Sequence, residues 1–252
     1  MFQVLTFAEQ IIPSRSINHL YIYLDIVFLV VLLSLFVVTR RYLTLLFSLL
    51  GGIIYFIADY GFFYLLFEER IVTGANPFWF LLWLSMSYGI TNFAFIWLAL
   101  KKDKNLIEFA SFIFLWWIAC PLISGNTPGA AGNIEISRTT SYHGGMAIML
   151  IVGYLIVIIL NLTKYKDNKL PLTRMLIIGV VVQFGWEFAL YVSGIRPHND
   201  NSLQTLLLNS LVETNLGIPY IFFIQMFIQK YFTEDLKRKT PHKDINLELE
   251  TT

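Results

Sequence analysis

Long apolar runs separated by short polar breaks dominate the chain. Residues 20–39, 43–66, 78–100, 105–123, 140–162, 174–194 and 203–228 are each mostly apolar. Each approaches or exceeds the about 20 residues that a helix needs to cross the hydrocarbon core of a bilayer. The pattern predicts an all-α membrane protein of seven transmembrane helices. The opening stretch MFQVLTFAEQII is too short to span, and it lacks a basic region and a small-residue cleavage site; it reads as a short interfacial helix rather than a signal peptide. One transmembrane domain is expected over 1–232, followed by a polar cytoplasmic tail over 233–252.

Composition agrees with the pattern: 56% of residues are hydrophobic and 14% charged, which excludes a water-exposed domain of this size. The single cysteine, Cys120, excludes an internal disulfide and a multi-cysteine metal site, and it reads as a small core residue. The net charge of +1 is uninformative, but its distribution is not. Arg40, Arg41, Lys101, Lys102, Lys104, Lys164, Lys166, Lys169, Arg174, Lys230, Lys237, Arg238, Lys239 and Lys243 fall at one end of the spans. Only Arg15, Arg70, Arg138 and Arg196 of the 18 basic residues fall at the other. The positive-inside bias therefore predicts an external N-terminus and a cytoplasmic C-terminus. No basic patch remains to suggest nucleic acid; the bilayer and a small apolar or amphipathic ligand are the expected partners. A bacterial cytoplasmic membrane is the expected location, and the oligomeric state is not readable.

A gapless shift of 128 residues lays spans two and three on spans six and seven. Gly51 falls on Gly179, Phe56 on Phe184, Asp59 on Glu187, Gly89 on Gly217, Ile90 on Ile218, Phe95 on Phe223 and Ile96 on Ile224. The same shift brings span one onto span five. Three spans, a connector and three spans imply two parallel repeats, 20–100 and 140–230, around a linking helix over 105–123. The loop GNTPGAAGNIEISRTT after span four fits an external crossover.

Ionisable side chains at membrane depth are costly and usually face the bundle interior. Counting about 1.5 Å per residue from each span's edge puts Asp25, Asp59, Glu187, Glu213 and His143 in the outer half of the bilayer. Tyr60, Tyr64, Ser85, Ser87, Tyr88, Asn92, Gln183, Trp186, Tyr191, Asn209 and Asn215 surround them. Asp25 is also close enough to the interface to be solvated, and His143 stands at a span end. The Asn and Ser residues equally suit interhelical hydrogen bonds. Glu108 lies near the cytoplasmic start of span four, within reach of three lysines, and belongs elsewhere. By the same count no basic residue shares the depth of Asp59, Glu187 and Glu213. At least one of the three is then expected to carry a proton and to act as an acid, with an ionised neighbour as base or cation stabiliser. Aromatic walls, to which Trp79, Trp83, Trp116, Trp117 and Trp186 are candidates, would stabilise positive charge through their π faces. No metal or other cofactor is implied.

The string Gln183-Phe-Gly-Trp-Glu-Phe188 resembles the Asn-Phe-x-Trp-Glu signature of the integral-membrane terpene cyclases of meroterpenoid and indole-diterpene biosynthesis. Asn215-Leu-Gly217-Ile-Pro-Tyr220 is similar to the motif on that family's following helix, and KYKDNKLPLTRML to the basic loop before its signature. The resemblance implies that Glu187 protonates an alkene or epoxide, that Asn215 with Glu213 orients it, and that Asp59 is the counterpart in the other half. In that half Ala58-Asp59 stands for Trp-Glu, and Ser87 for the acid of the next helix. The three-one-three plan equally resembles the sugar carriers of the SWEET family and the nicotinamide-riboside carriers. On that alternative Asn92 and Asn215 grip a small solute, and Asp59 and Glu187 couple transport to protons. The Pro-Gln pair of the sugar carriers is absent, and span seven has no lysine for a retinal Schiff base.

Overall fold

Asn18 opens the first helix by accepting a hydrogen bond from the Tyr21 N–H at 2.9 Å, so the side chain satisfies one of the donors left free at a helix start. The computed structural model describes residues 12–128, 133–138, 143–196, 206–207 and 217–232. In chain order these form β1 (Ile12–Asn18), α1 (His19–Val38), α2 (Tyr42–Phe56), β2 (Arg70–Thr73), α3 (Pro77–Lys101), α4 (Leu106–Asn126), β3 (Asn133–Arg138), α5 (His143–Leu162) and α6 (Leu172–Val192). A final helix, α7, covers 217–232. α2 continues without a break into a π-helical run, Ile57–Leu66. Five helices are long and apolar enough to cross a membrane: α1, α2 with its π-helical extension, α3, α4 and α6. The chain is therefore a multi-pass helical membrane protein. From α1 to α6 the observed helices begin and end within three residues of the predicted spans. Residues 1–11, where the interfacial helix was expected, and most of 203–216 lie outside the described residues.

α3 is the central post. Asn76 caps it by accepting from the N–H groups of Phe78 and Trp79 at 3.0 and 3.4 Å, and Pro77 stands at its first position, where no donor is needed. It is buried on nearly every side from Phe80 to Ala99, which suits a helix that is apolar all round. α2 comes so close to it that a Cβ at Gly89 would lie 2.6 Å from the Gly52 Cα and 2.8 Å from the Gly51 carbonyl oxygen. Small residues at helix contacts are how membrane bundles bring backbones together.

The helices fit the expected all-α membrane protein, and the connecting segments add a three-stranded antiparallel sheet in the order β1-β3-β2. β3 pairs Ile134 with Ile17 of β1, and Ile136 with Arg15 of β1 and Val72 of β2. Ile17, Ile134 and Ile136 are buried while Asn133 and Glu135 are exposed, the alternation of a strand with one covered face. Gly74, with φ +84, ends β2 where a side chain would collide with the Asn133 carbonyl oxygen. The Ser16 N–H donates to the Ile195 carbonyl at 3.2 Å, tying β1 to the chain just after α6. The sheet thus gathers the loops at the ends of α2, α4 and α6 and turns their side chains back toward the bundle.

At the opposite end Arg41 donates from Nε and Nη2 to the two carboxylate oxygens of Asp103, at 3.1 and 2.8 Å. It also donates to the Asn105 side-chain carbonyl at 2.8 Å. This clamp fixes the turn between α3 and α4, which passes through Lys102 in the left-handed conformation at φ 53. The hydrogen bonds from Arg41 hold the Asp103 carboxyl below its ordinary range.

Candidate functional site

Each sequence-predicted carboxylate on α2 and α6 is met by an arginine. Asp59, in the π-helical run and 3% exposed, accepts from Arg70 Nη2 at 2.5 Å. Tyr88 donates its hydroxyl to the same carboxylate, and the Ser85 hydroxyl stands 3.5 Å away. Glu187, fully buried on α6, is gripped by Arg196, itself 1% exposed: Nε donates to Oε2 at 2.6 Å and Nη2 to Oε1 at 2.8 Å. Arg15 Nη2 lies 3.5 Å from Oε1, and Gln183 donates to that oxygen at 3.4 Å.

The absence of a basic residue at this depth is thereby corrected. Arg15, Arg70 and Arg196 were counted in external loops, but β1, β2 and the turn after α6 carry them inward. Arg15 stands at a register shift between β1 and β3, where a bulge re-aims a side chain. Burying a carboxylate is tolerable when a guanidinium answers both oxygens, since desolvation is then offset by attraction and hydrogen bonds. The proton expected on an unpaired Asp59 or Glu187 therefore loses its premise.

Asp25 is the exception. On α1 and 1% exposed, it accepts from the Trp83 indole N–H at 3.0 Å and has no ion pair among the described residues. It is sealed from water rather than solvated at the interface. Tyr21 meets the Trp83 ring edge-on at 5.7 Å. One turn beyond Asp25, Phe28 stacks on Trp116 at 5.1 Å. α3 separates and connects the acids: Trp83 serves Asp25, while Ser85 and Tyr88 serve Asp59.

A line of rings joins the two arginine-paired carboxylates. Tyr55 packs on Tyr88 at 4.7 Å, Tyr88 on Trp186 at 6.3 Å, and Trp186 edge-on to Trp117 at 5.2 Å. Asn92, one turn above Tyr88 and 2% exposed, has no hydrogen-bond partner for its side-chain oxygen among the described residues. The same holds for Trp117 Nε1 and Arg196 Nη1. Tyr60 belongs to a different group, stacked between Phe56 and Tyr64, and Tyr191 is half-buried at the end of α6. His143 begins α5, but its side chain, like Glu213, Asn209 and Asn215, lies outside the described residues. No cluster of three or more His, Cys, Asp or Glu side chains able to hold a metal ion is present among the described residues.

The three arginines are the functional residues that span counting misses. The polar–apolar alternation of Asn133-Ile-Glu-Ile-Ser is a strand pattern inside a segment read only as a loop, and it marks the strand against which β1 and β2, the carriers of Arg15 and Arg70, are paired; nothing in the sequence signals Arg196. No protein-family model, curated protein or solved structure matches the chain.

Proposed function

We propose that this protein is an integral-membrane enzyme that cyclises or isomerises an isoprenoid or similar apolar substrate by acid catalysis. The observation that carries the reading is Asp25: an enclosed carboxyl with no ion pair among the described residues, oriented by the Trp83 indole N–H, with Tyr21 against the same indole and Phe28 stacked on Trp116 one turn beyond. A proton donor beside π faces is what protonation of an alkene and stabilisation of the resulting cation require. Asp25 donates the proton in this reading, and Trp83 positions it. The Asp59–Arg70 and Glu187–Arg196 pairs hold the frame. The resemblance of Gln183–Phe188 to the terpene-cyclase signature supports the same class.

The architecture proposed is two parallel three-helix repeats around α4, with the N-terminus external. The matched carboxylates support it: Asp59 is paired with an arginine 11 residues later and Glu187 with one 9 residues later. Gln225 Nε2 also reaches the carbonyl of Trp97, its equivalent at the 128-residue shift, at 3.4 Å. That duplicated ion pair favours a second reading, a small-solute carrier whose halves open in turn.

Comparing lipid extracts of cells expressing wild type, Asp25→Asn or no protein tests the enzyme. An isoprenoid product present with wild type and reduced about 100-fold or more by Asp25→Asn is expected. Identical profiles in all three sink the enzyme, and solute uptake by vesicles that survives Asp25→Asn supports the carrier.

A further inference from the structure

Away from the acidic site, the basic end of the bundle holds a groove of about 480 Å³ between the end of α3 and the starts of α4 and α6. Its floor is apolar, and three of its wall residues face outward: Ile107 at 77%, Ile177 at 56% and Val181 at 41% exposure. Its rim carries Lys102, Lys104 and Arg174. The acids nearby are already engaged. Asp103 is held by Arg41 through both oxygens, and the Glu108 carboxylate accepts from Asn105 at 3.2 Å.

The rim therefore presents three cations, Lys102, Lys104 and Arg174, beside one carboxylate, Asp103, that is already held by Arg41. It is also built from two helix beginnings, α4 and α6, neither of which is capped by a side chain. A helix start offers free N–H donors and the positive end of the backbone dipole, which favours an anion. Arg174, in the first turn of α6, adds a positive charge where the helix alone would favour a negative one. An occupant must supply negative charge at the rim and hydrocarbon along Ile107, Ile177 and Val181. One molecule of the surrounding bilayer has both parts.

We propose that this groove binds an anionic phospholipid, its phosphate between Lys102, Lys104 and Arg174 and an acyl chain along the apolar wall. Basic pockets between helices on the cytoplasmic side of membrane proteins suit such headgroups. The inference is independent of the acid chemistry proposed above, because it uses none of the same residues.

The test is native mass spectrometry of the full-length protein in detergent, titrated with dioleoyl-phosphatidylglycerol, dioleoyl-phosphatidylcholine, glycerophosphoglycerol and inorganic phosphate. Wild type is expected to retain phosphatidylglycerol in preference to phosphatidylcholine, with neither soluble phosphate displacing it. The variant K102Q/K104Q/R174Q should weaken retention by about fivefold per charge removed. K164Q/K166Q/K169Q, which removes three charges from the same end outside the groove, should leave it unchanged. Val181→Trp keeps every charge and fills the groove. It should lose the lipid as well, which preserves the test if the triple variant does not fold. Equal retention of the two lipids, equal loss from both triple variants, or displacement by inorganic phosphate would overturn the proposal.

Discussion

Replacing Arg196 by Met keeps most of its packed stem and removes the charge that answers both oxygens of Glu187. Glu187 is fully buried and Arg196 1% exposed, so neither group is screened by water, and removal of one partner leaves the other stranded. Breaking such a pair costs about 3–5 kcal/mol. Arg15 at 3.5 Å and Gln183 at 3.4 Å remain beside the carboxylate, which puts the expected loss near the lower bound, about 3 kcal/mol. For a chain of this size that is a fall of about 6–12 °C in Tm. Arg15→Met removes a longer contact to Glu187, at 3.5 Å, from a side chain 12% exposed, and should cost about 1 kcal/mol. Adding Glu187→Gln to Arg196→Met removes both charges of the pair, so the double variant should be more stable than the sum of the singles predicts, by about 2 kcal/mol. Thermal unfolding of the detergent-purified protein, followed by tryptophan fluorescence, reads all four forms. Additive losses, or an Arg15→Met variant as damaged as Arg196→Met, would refute the assignment of Arg196 as the principal partner.

The clamp at the basic end predicts a pH response. Folding lowers the Asp103 pKa through its hydrogen bonds from Arg41. Its stabilisation is therefore complete above the ordinary carboxylate value of about 4 and is lost as pH falls through the lowered value. Wild type should lose Tm across that acidic interval more steeply than Asp103→Asn, measured by the same unfolding assay. Gly89→Ala should destabilise by about 1–3 kcal/mol, because its Cβ would meet Gly52 and Gly51 backbone atoms under 3 Å away. Gly61→Ala, with nothing within 4 Å, serves as the neutral control in that comparison.

Spans could be read from the sequence because burial in lipid leaves no choice: a backbone without water must close its own hydrogen bonds, so each apolar run of sufficient length is a helix. The places of Asp25, Asp59 and Glu187 inside the bundle followed from the same count. Their partners did not. Counting depth assigns a residue the height of its Cα, and Arg70 and Arg196 lie past the ends of their spans. A long side chain is not confined to that height, and the strands β1 and β2 bring the backbone back as well. The Asp25 contact with Trp83 was hidden for another reason. It joins α1 to α3 across 58 residues, and helix rotation about its own axis cannot be inferred when a helix is apolar on every face.

If the protein is the proposed enzyme, these partners change which residue its proton would come from. An unpaired acid and an arginine-paired acid look alike as a single letter, yet only the first is free to give a proton to a substrate without leaving a buried guanidinium uncompensated. Protonating Glu187 would strand Arg196 between a neutral acid and the bundle, and protonating Asp59 would do the same to Arg70. Asp25 carries no such debt: no ion pair reaches its carboxylate among the described residues, and the Trp83 indole N–H donates to it. The resemblance on α6 points to Glu187, whereas electrostatics points to Asp25 on α1. Asp25→Asn and Glu187→Gln therefore separate the two: a product abolished by the first with the second folded and active places the acid on α1, and the reverse returns it to α6.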